Sequence, residues 1–132
     1  MERVVITGIG LITPCGLNKV ETWENLLAGK SGIGPISQCD VSDFPVRFAG
    51  EIQGFEPDGQ LSKKQRKETS RFSQLSLVAS RACLQDAGLE LSDEDRTRCG
   101  TIIGVGLGGL EEIDRYAQVL RERGAKKVSP YF

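Results

Sequence analysis

The stretch Thr101-Ile-Ile-Gly-Val-Gly-Leu-Gly-Gly109 constrains the fold of this chain more than any other. An apolar run opens into four glycines, and Leu110, Ile113, Ala117 and Leu120 then keep to one helical face. A strand feeding a helix through a glycine turn is the building unit of α/β proteins. On spacing alone, Gly104, Gly106 and Gly109 satisfy G-x-G-x-x-G, the dinucleotide fingerprint. That fingerprint wants the loop in the first strand-helix unit and an acidic residue about twenty positions on. Here the loop follows the last visible strand, and the chain continues with Gly124-Ala-Lys-Lys-Val128 instead. A nucleotide-binding domain stays as a competing reading, which predicts protection against heat by NAD or FAD.

Upstream, Val4-Val-Ile-Thr-Gly8 is a β-branched run ended by glycine, as in a buried strand, and Thr7 to Gly16 reads as a tight loop. Asn18, three residues before Glu21, forms a variant of the capping box. Val20, Trp23, Leu26 and Leu27 then share one helical face until Gly29 stops the helix. Trp23 on that face is expected to pack in the core. The segment from Ser31 to Asp43 is loop-like, and Val46 to Ile52 allows a short strand on a surface excursion. Phe72, Leu75, Val78, Ala79, Ala82 and Cys83 recur at helical spacing before Gly88, the clearest helix in the chain. Ser92-Asp-Glu-Asp95 looks like a further helix start.

Strand, helix, helix, strand, helix is an α/β order with parallel crossovers. Two or three strands must then form the whole sheet, whereas a parallel sheet normally has both faces covered. One domain over residues 1–132, itself part of something larger, is expected; ending at Phe132, it would expose apolar surface and an open sheet edge.

The totals exclude several classes of function. Seventeen basic and 18 acidic side chains leave a net charge of −1, so no overall field draws in nucleic acid or a membrane. The amino terminus lacks a basic flank and long apolar region, and nowhere do about eighteen apolar residues run together. A soluble, cytoplasmic protein is expected. Cys15, Cys39, Cys83 and Cys99 lack the short paired spacings of a zinc site, and each reads as a small buried hydrophobe. Histidine is absent, so no Cys-His nucleophile can be assembled from these residues.

Six blocks taken together carry a resemblance: Val4-Val-Ile-Thr-Gly-Ile-Gly10, Trp23 to Ile33, Arg71-Phe-Ser-Gln74, Asp86-Ala-Gly-Leu89, Gly104 to Leu110, and Ser129-Pro-Tyr-Phe132. In order and at compatible spacing, they resemble the elongating β-ketoacyl-[acyl-carrier-protein] synthases, most closely the type II enzymes. The resemblance spans the whole chain and about the first third of the family's length. It implies the thiolase-like fold, layered αβαβα when complete and represented here by the first part of its amino-terminal half. It also implies a homodimer that elongates fatty acids by decarboxylative Claisen condensation of an acyl-enzyme with malonyl-carrier protein.

No cofactor or metal is implied, and the partners are acyl carrier protein and the acyl and malonyl thioesters. The cysteine nucleophile lies beyond Phe132 and two histidines further on, so these 132 residues are expected to hold no catalytic residue and to be inactive by themselves. The glycine turn gains a different reading from the resemblance. Gly106, Leu107, Gly108 and Gly109, with Phe132, lie against the acyl pocket, and Leu107 is a lining or gating side chain. Tyr131 and Phe132 match an aromatic pair near the subunit interface.

Lys63, Lys64, Arg66, Lys67 and Arg71 cluster with only Glu68 opposing them, and Arg121, Arg123, Lys126 and Lys127 gather near the end. Composition alone favours a solvated helix start for the first cluster. The resemblance places Lys64, Lys67, Lys126 and Lys127 on the surface that docks the acidic carrier protein, although Glu68 stands where relatives often keep a basic residue. A non-catalytic acyl-chain or carrier-binding module, like a chain-length factor, is the alternative; it predicts salt-sensitive binding without turnover.

Overall fold

A computed structural model describes residues 3–90 and 96–131. The helix start read at Ser92 to Asp95 and the pocket residue Phe132 lie outside them. The chain divides into two compact units, Met1–Glu56 with Ala79–Ser92, and Pro57–Val78 with Asp93–Phe132.

In the first unit, helix α1 spans Lys19–Leu27. Asn18 caps it as the sequence predicts, its side chain accepting the Glu21 N–H at 2.9 Å. Glu21 answers one residue further out than in the usual box, accepting the Leu17 N–H at 2.8 Å. Gly29, with φ of 67°, ends the helix in the left-handed region.

The face that α1 buries is its polar one. Thr22 is buried, donating to the Gly16 carbonyl at 3.2 Å and sharing a hydroxyl contact with Thr13. Asn25 donates to the Cys15 carbonyl at 2.6 Å. These bonds turn the polar side toward the 13–16 loop, so the opposite stripe is left open and Trp23, expected in the core, is 61% exposed. Ile9, Leu11, Val20, Trp23 and Leu26 line an apolar groove of about 520 Å³ along it.

The sheet differs from the expected one. Among the described residues it consists of two antiparallel dipeptides, β1 (Gly34–Pro35) and β2 (Phe48–Ala49), paired Gly34 to Ala49 and Pro35 to Phe48. The excursion strand read at Val46 to Ile52 is therefore present, shortened, and its partner comes from the segment read as loop. Glu51 holds the loop after β1, its carboxylate accepting the Ser37 and Gln38 N–H groups and the Ser37 hydroxyl. The Ser37 hydroxyl, first among these, holds the carboxyl below the usual glutamate range.

Val4 to Ile6 and Thr101 to Val105 form no strand, which corrects the reading of both as strands. A strand exists only through a ladder of bonds to a neighbour, and neither run has one beside it among the described residues. Their side chains are open to solvent, Val4 at 93% and Ile102 at 97%. For the same reason the described residues contain no parallel crossover.

Helix α3, Arg71–Ala87, is the long helix of the sequence reading, and the division between the units falls within it. Its carboxyl-terminal half receives the Gly8–Gly10 segment of the first unit. A Cβ on Gly8 would fall 2.8 Å from Ala87 Cβ, and one on Gly10 2.7 Å from the Cys83 nitrogen. Only glycine permits that approach. Cys83 donates its thiol to the Gly8 carbonyl, in keeping with a structural role. Cys39 and Cys99 are exposed rather than buried, because the loops that carry them have no packed layer over them.

The second unit holds α2 (Lys63–Glu68), the start of α3, α4 (Leu110–Arg123) and single 3-10 turns at Arg96–Arg98 and Ala125–Lys127. Leu61 and Val78 are its buried apolar side chains. No described helix is long and apolar enough to cross a membrane.

Candidate functional site

The second unit brings one part of the predicted site together. Ser62 opens α2 with a full capping box, accepting the Gln65 N–H at 3.1 Å while Gln65 accepts that of Ser62 at 3.0 Å. That box fixes the helix carrying Lys64 and Lys67. Arg66 pairs with Asp58. The corner between α2 and α3 is tied by Gln74, whose amide donates to the Thr69 carbonyl at 2.9 Å and the Arg66 carbonyl at 3.1 Å.

Across from this corner lies the glycine turn. Gly108 and Gly109 both adopt left-handed backbone, with φ of 46° and 57°, and Gly109 is the N-cap of α4. An L side chain is costly in that region, which explains two glycines in succession. With no side chain to cap α4, Glu111 and Glu112 supply negative charge in its first turn, opposite the positive end of the helix dipole.

Lys67, Phe72, Gly108, Gly109, Tyr116 and Tyr131 are among the residues lining a cleft of about 330 Å³ in this unit. Its charges are mixed, Lys67 and Arg115 standing with Glu68 and Glu112. The Arg115 guanidinium lies 4.6 Å from the Tyr116 ring centroid. The cleft thus combines the rings of Phe72, Tyr116 and Tyr131 with charges of both signs.

Of the predicted pocket residues, the structure brings Gly108 and Gly109 to this cleft. Gly106 and Leu107 do not line it, and Leu107 is 78% exposed. Of the predicted docking lysines, Lys67 is at the cleft, while Lys64, Lys126 and Lys127 are exposed outside its lining. Lys126 and Lys127 follow α4 in a 3-10 turn, beside Arg121 and Arg123 in its last turn. Helical periodicity assigns Phe72 to an apolar helix face and gives it no place at the turn. In sequence it is marked by its place in the Arg71-Phe-Ser-Gln74 block, which says nothing of the turn. Among the described residues, no group of three or more potential metal ligands is present.

Residues 1–132 match the family model of the β-ketoacyl synthase, N-terminal domain. The chain belongs to the β-ketoacyl synthase family. The chain is 43% identical over 131 residues to 3-oxoacyl-[acyl-carrier-protein] synthase 2 of Vibrio cholerae serotype O1 (strain ATCC 39315 / El Tor Inaba N16961). It is 39% identical to the protein of the same name from Coxiella burnetii (strain RSA 493 / Nine Mile phase I). Each alignment covers 99% of this chain and 32% of the relative, so the chain spans about a third of their length.

Among solved structures, a β-ketoacyl synthase from Burkholderia phymatum STM815 superposes with a TM-score of 0.77 at 28% identity, covering 99% of this chain and 33% of that one. The ishigamide ketosynthase/chain length factor gives 0.75 at 28%, covering 96% and 32%. The thiolase-like α/β class expected from the sequence is thus the family's fold, although the described residues here contain its helices and one small antiparallel pair.

Proposed function

We propose that this chain is the amino-terminal part of a synthase domain that elongates fatty acids on acyl carrier protein. In the complete protein, an acyl group held as an enzyme thioester condenses with malonyl-carrier protein as carbon dioxide leaves. The match of all 132 residues to the N-terminal domain of the family carries this reading. A cytoplasmic homodimer is the state we assign to the complete protein.

Within it, the turn from Gly106 to Gly109, with Phe132, faces the acyl chain, and Lys64, Lys67, Lys126 and Lys127 meet the acidic carrier. The mixed charge of the cleft fits a mouth that steers a carrier through a few exposed cations rather than by an overall field. The nucleophile and the groups that stabilise the enolate-like charge belong to the rest of the protein.

The test is to express the whole reading frame that contains these residues and assay it with acyl- and malonyl-carrier protein. Release of carbon dioxide with formation of β-ketoacyl-carrier protein is expected. Tight, salt-sensitive carrier binding without any product would favour the non-catalytic reading instead, which the likeness to a ketosynthase/chain length factor also supports.

A further inference from the structure

We propose that Phe72 is a positioning residue for the glycine turn, and that its ring sets where Leu107 stands and so which acyl chain lengths the protein accepts. This rests on the reading of the turn as part of the acyl pocket. Phe72 lies in the first turn of α3, far from the turn in sequence, yet its ring takes the space over both glycines. A methyl built on Gly109 would lie 3.3 Å from Phe72 Cε1, and one built on Gly108 would lie 3.5 Å from Cζ and 3.6 Å from Cε2. The ring therefore borders the space that a side chain on either of two successive left-handed residues would enter, together with Val105, whose Cγ2 would lie 3.2 Å from a methyl on Gly108. Leu107, immediately before them, is 78% exposed. Its position is fixed by the two residues that follow it, and theirs by the ring.

The ring edge nearest Gly108 is the Cζ end, which makes opposite substitutions available. Phe72→Leu removes the support, and Phe72→Tyr places a hydroxyl on Cζ, against the turn. In the complete protein, kcat and KM are measured on acyl-carrier proteins of short, medium and long chain. The two variants are expected to shift the ratio of kcat/KM between long and short chains in opposite directions, each by about tenfold, the scale of a methylene or two in an apolar pocket. A merely structural role would lower all chain lengths together. Product from the unsubstituted protein with no change of profile in either folded variant overturns the inference alone. Absence of product from the unsubstituted protein overturns the acyl-pocket reading and the inference with it.

A stability measurement guards against variants that fold poorly. Gly109→Ala carries the penalty of its left-handed φ and the contact with the ring. In a Phe72→Leu background the contact part is relieved, so the double variant should lose less Tm than the sum of the two single losses. Additive losses would show that ring and turn are not in contact, and would overturn the inference by a second route.

Discussion

The Asp86 carboxylate accepts the Ile9 backbone N–H at 2.9 Å across 77 residues of sequence. Its other oxygen is paired with the Lys19 ammonium. One carboxylate on α3 thus holds both the segment that follows the first apolar run and the start of α1. The Lys19 hydrogen bond, and next the Ile9 amide, hold its pKa below the ordinary aspartate value of 3.8.

A pH dependence follows from that direction. A carboxyl whose folded pKa is depressed stabilises the fold fully above its unfolded pKa, and the contribution is lost as pH falls through the folded value. Asp86→Asn should therefore lower Tm at pH 7, and its gap from the parent should close as the pH is taken below the ordinary aspartate range. Thermal melts from pH 7 to pH 2.5 check this; a gap that is constant with pH would refute it.

Gly10 and Gly29 separate two reasons for glycine. Gly10→Ala drives a methyl into α3 at Ala79 and Cys83, and neither backbone can yield without moving the helix. A loss of about 3 kcal/mol or more in urea denaturation is expected. At Gly29 nothing lies within 4 Å, and only its φ of 67° resists a side chain. Gly29→Ala should cost about 1 kcal/mol.

Val78 and Leu61 are buried in the second unit, so Leu61→Ala should cost about 3 kcal/mol and Val78→Ala about 2 kcal/mol. Leu27→Ala, on the open face of α1, should stay within about 0.5 kcal/mol in the same denaturation series.

Ser62→Ala removes the N-cap of α2 and half of its capping box, at a cost of about 1 kcal/mol. Amide exchange at Gln65 should speed up before that of α4. Equal acceleration in both helices would contradict local control of the α2 terminus.

Lys67 stands at the cleft and is exposed. Lys67→Glu in the complete protein should raise KM for the carrier substrate about fivefold, on the scale of one exposed charge pair, with kcat unchanged. The effect should fade as salt is raised from 50 to about 300 mM. A loss of kcat at all salt concentrations would mean that the residue acts on something other than docking.

Helices and their ends were legible in the sequence because their signals are local. Asn18 before Glu21, Gly29, Gly88 after Ala87 and the periodic face around Val78 each lie within a few residues of what they control. The runs at Val4 and Thr101 show the opposite case. Their composition is that of strands, yet a strand is a relation with a neighbour, and the described residues provide none. Trp23 was misleading for a related reason: periodicity identifies an apolar face but not whether anything covers it, and Thr22 and Asn25 tie the other face down. At the candidate site, the glycines announced the turn, whereas Phe72, Thr69 and Ser70 reach the cleft only through the fold of the α2–α3 corner. Of the four lysines expected on a docking surface, Lys67 lines that cleft and the other three do not, since clustering along the chain does not measure convergence in space.

The contact of Gly8 and Gly10 with α3 also fixes a rotation. Ala79, Cys83 and Ala87 follow one another at intervals of four and present the small stripe that the two glycines meet. Turning the helix by one residue toward its carboxyl end would present Leu84 at the same place. The stripe and the glycines work as a key in a slot, so α3 has one angular setting about its own axis.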